Sequence, residues 1–334
     1  YIIERLVSKA ARELDMDPVE LRRRNLISSD DFPYQTPVLA NYDSGDYEKQ
    51  LELVLDMVDY EEFRERQDEL RSEDEYVGIG MACFVEPAGS SPPSNSEPTD
   101  EDPTEDSSEP GIESTHIESS KISVHPDGSV IAYTGTSEFG QGHRTTYAQI
   151  LASKLGIDYE NIEIREGDTD QAAQGTGSHS SRSVIMAGNS FEKSAEKIIE
   201  KGKRVAAHLL DTEVENIEFD SGEFSSVEST GHAIHVADIA EETYQADNLP
   251  KGVEPGLTAE TYYASEGKTW PSGTHAVIVK VDTETGDISL EKYAAVDDCG
   301  VQINPKLVEG QIEGGVVQGI GQALYEEAEY DDNG

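Results

Sequence analysis

The chain has 334 residues, with 69 acidic side chains against 25 basic ones and a formal net charge of −44. This length is enough for a substantial hydrophobic core, in two domains or one large one. The charge argues against nucleic-acid binding and against docking on an anionic membrane, because both need a basic surface.

The acidic composition has two physical explanations. A large net charge destabilises a compact chain through self-repulsion, and concentrated salt screens that repulsion. We therefore interpret the composition as halophilic, an adaptation to high salt. The alternative is disorder, which high charge and low hydrophobicity favour. Regular apolar periodicity in most segments restricts predicted disorder to one stretch.

The number of cysteines and the hydropathy pattern exclude further classes of protein. Cys83 and Cys299 are far apart in sequence, so a disulfide framework, an iron–sulfur cluster or a zinc ribbon within this chain is unsupported. No apolar run approaches the length of a membrane span and no signal peptide is visible, so we expect a cytoplasmic protein. The chain begins within a helical pattern, which leads us to expect a piece of a longer protein.

The N-terminal region is predicted to be helical. Residues 1–14 carry an apolar helical stripe, and Asp17-Pro-Val-Glu20 has the acidic cap and early proline of a new helix start. The basic triplet Arg22-Arg-Arg24 is expected to pair with carboxylates in so acidic a chain. Residues 47–70 form a second helical region, with apolar side chains on one face.

The composition changes twice in the middle of the chain, from apolar to acidic and polar and then to an alternating pattern. Residues 76–85 are apolar or small between charged neighbours, which predicts a buried strand. Residues 86–113 are rich in Ser, Pro, Glu and Asp, which predicts an acidic disordered insertion. We do not favour a calcium site in this insertion, because the Asp spacing of an EF-hand is missing. Residues 118–124 and 129–135 then alternate around a Pro-Asp-Gly turn and predict a hairpin.

The remaining elements alternate between helices and strands. We predict a helix from about Arg144 to Leu155, a strand at residues 161–165 and a long helix that ends at about Leu210. Residues 275–281 and 288–296 predict a further hairpin, and a glycine-containing helix follows at residues 306–327. This mixture of helices and hairpins, without a fixed repeat, predicts an α+β fold.

Three segments share one form: a strand, a polar glycine-rich turn and a helix start. They are Gly140-Gln-Gly-His143, residues 175–183 and residues 299–304. Backbone N–H groups at such a turn can bind phosphate or another anion. A single glycine turn usually only reverses the chain. Three of them suggest a large polar ligand with phosphates and ring heteroatoms.

Single residues near these turns have competing interpretations. We favour a site role for His143, whereas a site role and a surface role are about equal for His179. Cys299 has no His close in sequence, so a packed thiol is favoured over a nucleophile. The glycines of residues 310–319 cost about 1 kcal/mol each in a helix, which implies close approach of another group. A neighbouring helix is our preferred explanation, and the ligand is the alternative.

These segments together resemble one family. The segments are Tyr133-Thr-Gly-Thr-Ser-x-x-Gly-Gln-Gly-His-x-Thr-Thr-Tyr-Ala-Gln149, Gly177-Ser-His-Ser-Ser-Arg-Ser183 and the stretch from Asp297 to Gly321. They resemble the molybdopterin-binding large subunit of the xanthine dehydrogenase, aldehyde oxidase and carbon monoxide dehydrogenase family. The resemblance covers nearly the whole chain except the acidic insertion.

The resemblance implies a molybdenum-dependent oxidoreductase that oxidises an aldehyde, carbon monoxide or a heterocycle. Its molybdopterin would carry Mo, in prokaryotes usually in the cytosine dinucleotide form. Electrons would pass to partner subunits that carry FAD and 2Fe-2S clusters, in a hetero-oligomer with the remaining segments of the large subunit. Residues 1–72 would end a first molybdopterin-binding domain, and residues 73–334 would belong to a second.

The resemblance also implies which residues contact the cofactor, motif by motif: Gly140, Gln141, Gly142, His143, Thr145, Ser181, Arg182, Ser183, Cys299, Asn304 and Gln311. We expect no metal ligand from the protein. The catalytic base of the family is a Glu in a downstream Gly-Glu loop that nothing here matches, so no catalytic residue is assigned. The family's large subunits are more than twice as long. Because no Glu here matches the catalytic base, the alternative to a molybdenum-dependent enzyme is a degenerate fragment or a cofactor-binding module without turnover.

Overall fold

A computed structural model describes residues 1–89, 117–228, 231–265 and 267–334. Most of the predicted acidic insertion, residues 90–113, lies outside the described residues. The helices are α1 (Ile2–Glu13), α2 (Pro18–Arg23), α3 (Tyr47–Met57), α4 (Tyr60–Ser72), α5 (His143–Leu155), α6 (Ser183–Leu209), α7 (Val236–Thr243) and α8 (Pro305–Leu324). The strands are β1 (Tyr34–Gln35), β2 (Asn41–Tyr42), β3 (Tyr76–Val85), β4 (Ala88–Gly89), β5 (Ile117–Val124), β6 (Val130–Thr134), β7 (Ile162–Glu166), β8 (Ile217–Asp220), β9 (Glu223–Ser226), β10 (Ala233–His235), β11 (Leu257–Ala264), β12 (Lys268–Thr269), β13 (Ser272–Val281) and β14 (Ile288–Asp298).

The first compact unit combines Tyr1–Pro87 with Thr269–Gln302. Its antiparallel sheet has the order β14-β13-β3, and α3 packs over β13 and β14. The apolar face of α3 supplies much of the core, because Leu51 and Val54 are completely buried there. Asp17 caps α2 by accepting from the N–H groups of Val19 and Glu20, as the sequence predicts.

The basic triplet of α2 confirms the predicted ion pairing. Arg22 is buried and binds Glu4, Arg23 binds Glu52, and Arg24 binds Glu20. The guanidinium of Arg22 also donates to the carbonyl oxygens at the start of α2 and in β3. This side chain therefore joins both N-terminal helices to the sheet of the first unit.

The second compact unit combines Ala88–Lys268 with Ile303–Gly334. Its main sheet has the order β11-β5-β6-β7; β5 is antiparallel to β6 and β11, whereas β6 and β7 are parallel. Helix α5 connects the two parallel strands, and α6 covers β5 and β11. The core between helices and sheet includes Tyr147, Leu151, Phe191 and Ile198, all fully buried.

Most predicted elements are confirmed, including the hairpin β5–β6, helices α5, α6 and α8, strand β7 and the α+β class. Three details differ. The helical region at residues 47–70 is broken at Asp59, whose φ of 50° is left-handed, so α3 and α4 are separate helices. Strand β3 is only partly buried, because it lies at the edge of its sheet.

The third difference concerns the glycines of α8. A Cβ added at Gly310, Gly314, Gly315 or Gly319 would meet no atom within 4 Å, and α8 has no buried residue. The neighbouring helix that we preferred as the explanation is therefore wrong for the described part of the chain. The predicted domain boundary after residue 72 concerns the family's domains and stays a prediction.

Candidate functional site

The candidate site lies at one edge of the main sheet in the second unit. Strands β6 and β7 are parallel, and Thr134 pairs in register with Glu166 at their last residues. The glycine turn follows β6 directly and leads into α5. The carboxyl ends of parallel strands meet at one edge of a sheet, where open α/β sheets bind ligands. The sequence did not predict the parallel pairing that creates this edge.

The first and second turns are joined by one serine. Ser178 Oγ donates to the Ser137 carbonyl oxygen at 2.7 Å and accepts from the Ser137 N–H at 2.9 Å. Close backbone contact reinforces this link, because a Cβ added at Gly135 would lie 2.6 Å from the α-carbon of Gly175. Only glycine fits such an approach, so the two turns form one surface.

The third segment reaches the first turn through the start of α8. Asn304 caps α8 by accepting from the Leu307 N–H, and its Nδ2 donates to Gln149 of α5 at 3.0 Å. A Cβ added at Gly142 would lie 2.7 Å from Leu307 Cδ1. The turn at 140–143, the turn at 175–183 and the start of α8 therefore meet within the second unit. Cys299 belongs to the first unit.

The backbone N–H groups of the first turn, which could bind an anion, bind a carboxylate of the chain itself. Glu138 Oε1 accepts from the N–H groups of Gly140 and Gly142, both at 3.0 Å, and Oε2 accepts from the Arg144 N–H at 3.1 Å. Partial burial alone would raise the pKa of Glu138, but these three donors stabilise the ionised form and lower it. The turn thus uses its backbone donors internally.

A buried ion pair supports the second turn. Arg182 Nη1 donates to Glu118 Oε2 at 2.9 Å, and both side chains are completely buried. Arg182 also donates to the carbonyl oxygens of Gly177 and Ile117, and Glu118 Oε1 accepts from the Gly135 N–H. One charged pair therefore connects β5, the end of β6 and the 175–183 turn.

His143 is held by a second buried carboxylate. Its Nδ1 lies 3.0 Å from Glu166 Oε1, and the side chains are only 4% and 2% exposed. Thr136 donates to the same carboxylate oxygen at 2.7 Å. The imidazole ring stacks on Tyr147 with centroids 5.1 Å apart. The orientation of the ring is therefore fixed from two sides.

Several of the predicted contact residues have internal hydrogen bonds. Gln141 donates to the Ser137 carbonyl and accepts from the Phe139 N–H, and Ser183 donates to Ser178. Arg182 and Asn304 are engaged as described above. Direct cofactor contacts of these side chains stay predictions, and the structure shows what they do within the chain: they hold the turns in place.

The other predicted residues are more accessible. Thr145 is half-buried on the first turn of α5, and Ser181 and Gln311 are exposed. Cys299 is exposed, and partial burial of its sulfur together with Asp298 and Asp297 raises the pKa of the thiol. The raised pKa disfavours the reactive thiolate. The prediction of a thiol packed in the core is wrong for the described residues, because Cys299 is exposed, whereas packing against a ligand stays a prediction.

Sequence reasoning missed three carboxylates of the site. Glu118 occupies a strand position, Glu138 lies beside the glycine turn, and Glu166 ends β7. In a chain with 69 acidic residues, buried ones cannot be distinguished by type from those on the surface. Position in the sequence could have identified two of them as site residues, because Glu138 lies next to the glycine turn and Glu166 lies at the end of a strand.

Two structural features are absent from the described residues. No helix in this part of the chain is long and apolar enough to cross a membrane. The same part of the chain contains no group of three or more His, Cys, Asp or Glu side chains arranged to hold a metal ion.

Comparison with known proteins assigns the family. Residues 53–334 match the family described as the molybdopterin cofactor-binding domain. The chain belongs to this family. Among the relatives, the carbon monoxide dehydrogenase large chain of Hydrogenophaga pseudoflava is 38% identical over 337 residues, which is 100% of this chain and 40% of the relative. The nicotine 6-hydroxylase large subunit of Paenarthrobacter nicotinovorans is 36% identical, over 99% of this chain and 39% of the relative.

A solved structure agrees with the family assignment and with the predicted fold class. Reconstituted CO dehydrogenase from Oligotropha carboxidovorans superposes with a TM-score of 0.87 at 36% identity, over 98% of this chain and 40% of that chain. The chain therefore spans about 40% of the length of the relatives that it matches.

The chemistry of the site fits a polar ligand such as molybdopterin. Thr176 Oγ1 in the second turn and Glu166 Oε2 are buried without a hydrogen-bond partner among the described residues. A Cβ added at Gly140 or Gly177 would meet no atom within 4 Å, so the backbone of both turns faces open space. An open groove of about 520 Å³ runs along β7 and the start of α5, where Arg144 and Glu166 line it, but no residue of the three turns does. Unpaired buried polar atoms beside open backbone are suited to a ligand with many hydrogen-bonding atoms.

Proposed function

We propose that the chain forms part of the large subunit of a molybdenum hydroxylase, and that its two glycine turns and the start of α8 hold the molybdopterin. The observation that carries this proposal is the meeting of the two glycine turns with the start of α8 at the β6–β7 edge, where the backbone of Gly140 and Gly177 is open. When bound, the cofactor would supply a molybdenum centre at which a substrate carbon is oxidised.

The chain's own residues would contribute in two ways. The open backbone of the turns would approach the cofactor closely, with His143, Thr145 and Gln311 as further contacts. The pair Arg182–Glu118 and the carboxylate of Glu138 would keep the turns in the binding geometry, since both are fully used inside the chain. Preorganised turns bind a ligand without paying for ordering at the time of binding.

The remaining parts of the proposal follow from the resemblance and the relatives. The cofactor would be the cytosine dinucleotide form, and the substrate a small molecule such as carbon monoxide, an aldehyde or a heterocycle. Partner subunits with FAD and 2Fe-2S clusters would receive the electrons, and the remaining segments of the large subunit would complete the assembly. We place this assembly in the cytoplasm of a halophilic organism.

Elemental and cofactor analysis tests this proposal. The complete gene product is purified in concentrated salt from cells supplied with molybdate, and molybdenum and pterin are measured per protein chain. We expect both in equal amounts, and dye-coupled oxidation of one of the three substrate classes. Protein without molybdenum and without pterin would reject the cofactor site.

A second candidate function is a cofactor-binding module without turnover. The carboxylates of Glu118 and Glu138 are both occupied by internal hydrogen bonds, so neither is available as a catalytic base. Protein that contains molybdenum and pterin but oxidises none of the substrate classes would favour this second function.

A further inference from the structure

The hydrogen bond between His143 and Glu166 bears on which nitrogen of the imidazole carries a proton. Glu166 Oε1 lies 3.0 Å from His143 Nδ1 and accepts from Thr136 Oγ1 at 2.7 Å. An ionised carboxylate can only accept hydrogen bonds. Because Oε1 already accepts from Thr136, an ionised Glu166 would act as the acceptor in the contact with Nδ1, which places a proton on that nitrogen.

A competing donor near the same nitrogen is weaker. The amide nitrogen of Gln141 lies 3.5 Å from His143 Nδ1, at the limit of a hydrogen bond, and donates to the Ser137 carbonyl at 3.1 Å instead. Tyr147 contacts the imidazole through its ring face. Glu166 is thus the group that decides the protonation of Nδ1.

We propose that Glu166 and Thr136 are positioning residues, which hold a proton on Nδ1 of His143 so that Nε2 is the nitrogen presented to the ligand. Thr136 fixes the carboxylate, and the carboxylate fixes the ring. The hydrogen bond of one imidazole nitrogen commonly sets the role of the other in this way. With the proton on Nδ1, Nε2 would present its lone pair to an N–H of the ligand, such as the nitrogen-rich ring of a pterin can provide.

This inference rests on the proposed function only for the identity of the ligand at Nε2. The position of the proton is a property of the chain and can be measured without cofactor. The test uses the whole chain labelled with ¹⁵N-histidine in concentrated salt, because long-range ¹H–¹⁵N spectra show which ring nitrogen carries hydrogen. The signals of His143 are assigned by their loss in His143→Asn.

We expect a protonated Nδ1 in the wild-type chain and in Glu166→Gln, since the amide oxygen of Gln also accepts. In Glu166→Leu the acceptor is gone, and we expect the proton to shift toward Nε2. A wild-type Nδ1 without a proton would overturn the inference, as would an unchanged proton position in Glu166→Leu. The wild-type measurement is decisive even if Glu166→Leu fails to fold.

Cofactor content separates this inference from the proposed function. In the complete protein, Glu166→Leu is expected to lower pterin and molybdenum occupancy about 10-fold or more, and Glu166→Gln to retain most of it. Equal melting temperatures of the two variants would exclude a merely structural loss. Nδ1 protonated in a protein that never contains pterin would reject the proposed function and leave the proton position correct. Nδ1 unprotonated in a pterin-loaded protein would reject the inference alone.

Discussion

Gly142 and Leu307 approach each other closely: a Cβ added at Gly142 would lie 2.7 Å from Leu307 Cδ1. Gly142 also has a φ of 84°, in the left-handed region that side chains other than glycine rarely adopt. The two residues together explain why a glycine is needed at the end of this turn.

The pair Gly140 and Gly142 offers a matched test of this contact. Both have positive φ, at 99° and 84°, but a Cβ at Gly140 would meet nothing within 4 Å. We expect Gly142→Ala to lower the free energy of unfolding by about 1–3 kcal/mol more than Gly140→Ala, through overpacking against Leu307. Chemical denaturation measures the difference. Equal losses in the two variants would show that the contact has no energetic weight.

The buried pair Arg182–Glu118 should be far more important than an exposed pair. Arg182→Met leaves the Glu118 carboxylate buried without its cation, and we expect a loss of about 3–5 kcal/mol in the free energy of unfolding. The control is Arg165→Met, because Arg165 and Glu163 are both exposed and such pairs contribute about 0–1 kcal/mol. A small effect of Arg182→Met in urea unfolding would contradict the framework role of this pair.

The carboxylate of Glu138 should make the stability of the turn depend on pH. Its pKa in the folded chain is lowered from the ordinary value of 4.5 by three backbone donors. The stabilisation is therefore complete above that value and is lost as pH falls through the lower folded value. We expect the melting temperature of the wild type to exceed that of Glu138→Gln at pH 7, and the gap to narrow below about pH 4.5. A gap that stays constant with pH would mean that the ionised form is not the stabilising one.

Salt should stabilise the whole chain through screening. With 69 acidic and 25 basic residues, self-repulsion is strong, and the Debye length falls from about 10 Å at 0.1 M salt to about 3 Å at 1 M. We expect the melting temperature to rise steeply with KCl up to about 1 M and more slowly beyond. Sucrose serves as an uncharged control, since it stabilises without screening. A melting temperature that sucrose raises but KCl does not would contradict the halophilic interpretation.

Local patterns in the sequence were sufficient for most elements and for the three turns. Alternation predicted the β5–β6 hairpin, and turn residues followed by apolar periodicity predicted α5 and α6. The break at Asp59 could not be predicted in this way, because a left-handed residue depends on how α3 and α4 pack afterwards. The parallel pairing of β6 with β7 is a contact between distant segments, and local periodicity contains no information about it.

The candidate site was predictable in location and much less so in its internal bonding. The motif residues identified where the turns would lie, and the structure brings those of the second unit together. The motifs gave no indication that Arg182 would be buried against Glu118. They also did not indicate that the carboxylate of Glu138 would accept from the backbone N–H groups of the first turn. Such partners are set by tertiary packing, and any of the chain's many carboxylates could have served.

The most direct test of the central claim is the molybdenum and pterin content of the complete protein, compared between wild type and Gly140→Val. Nothing in the described chain lies within 4 Å of a Cβ at Gly140, so a side chain there projects into the open space proposed for the cofactor. Gly286→Val is the control, because Gly286 also has a positive φ, of 80°, and open space around its Cβ position but lies outside the three turns. We expect about one molybdenum and one pterin per chain in wild type and control, and a large loss of both in Gly140→Val, because a side chain there would exclude the ligand sterically. Undiminished pterin and molybdenum in a folded Gly140→Val protein would show that the turn at Gly140 does not hold the cofactor.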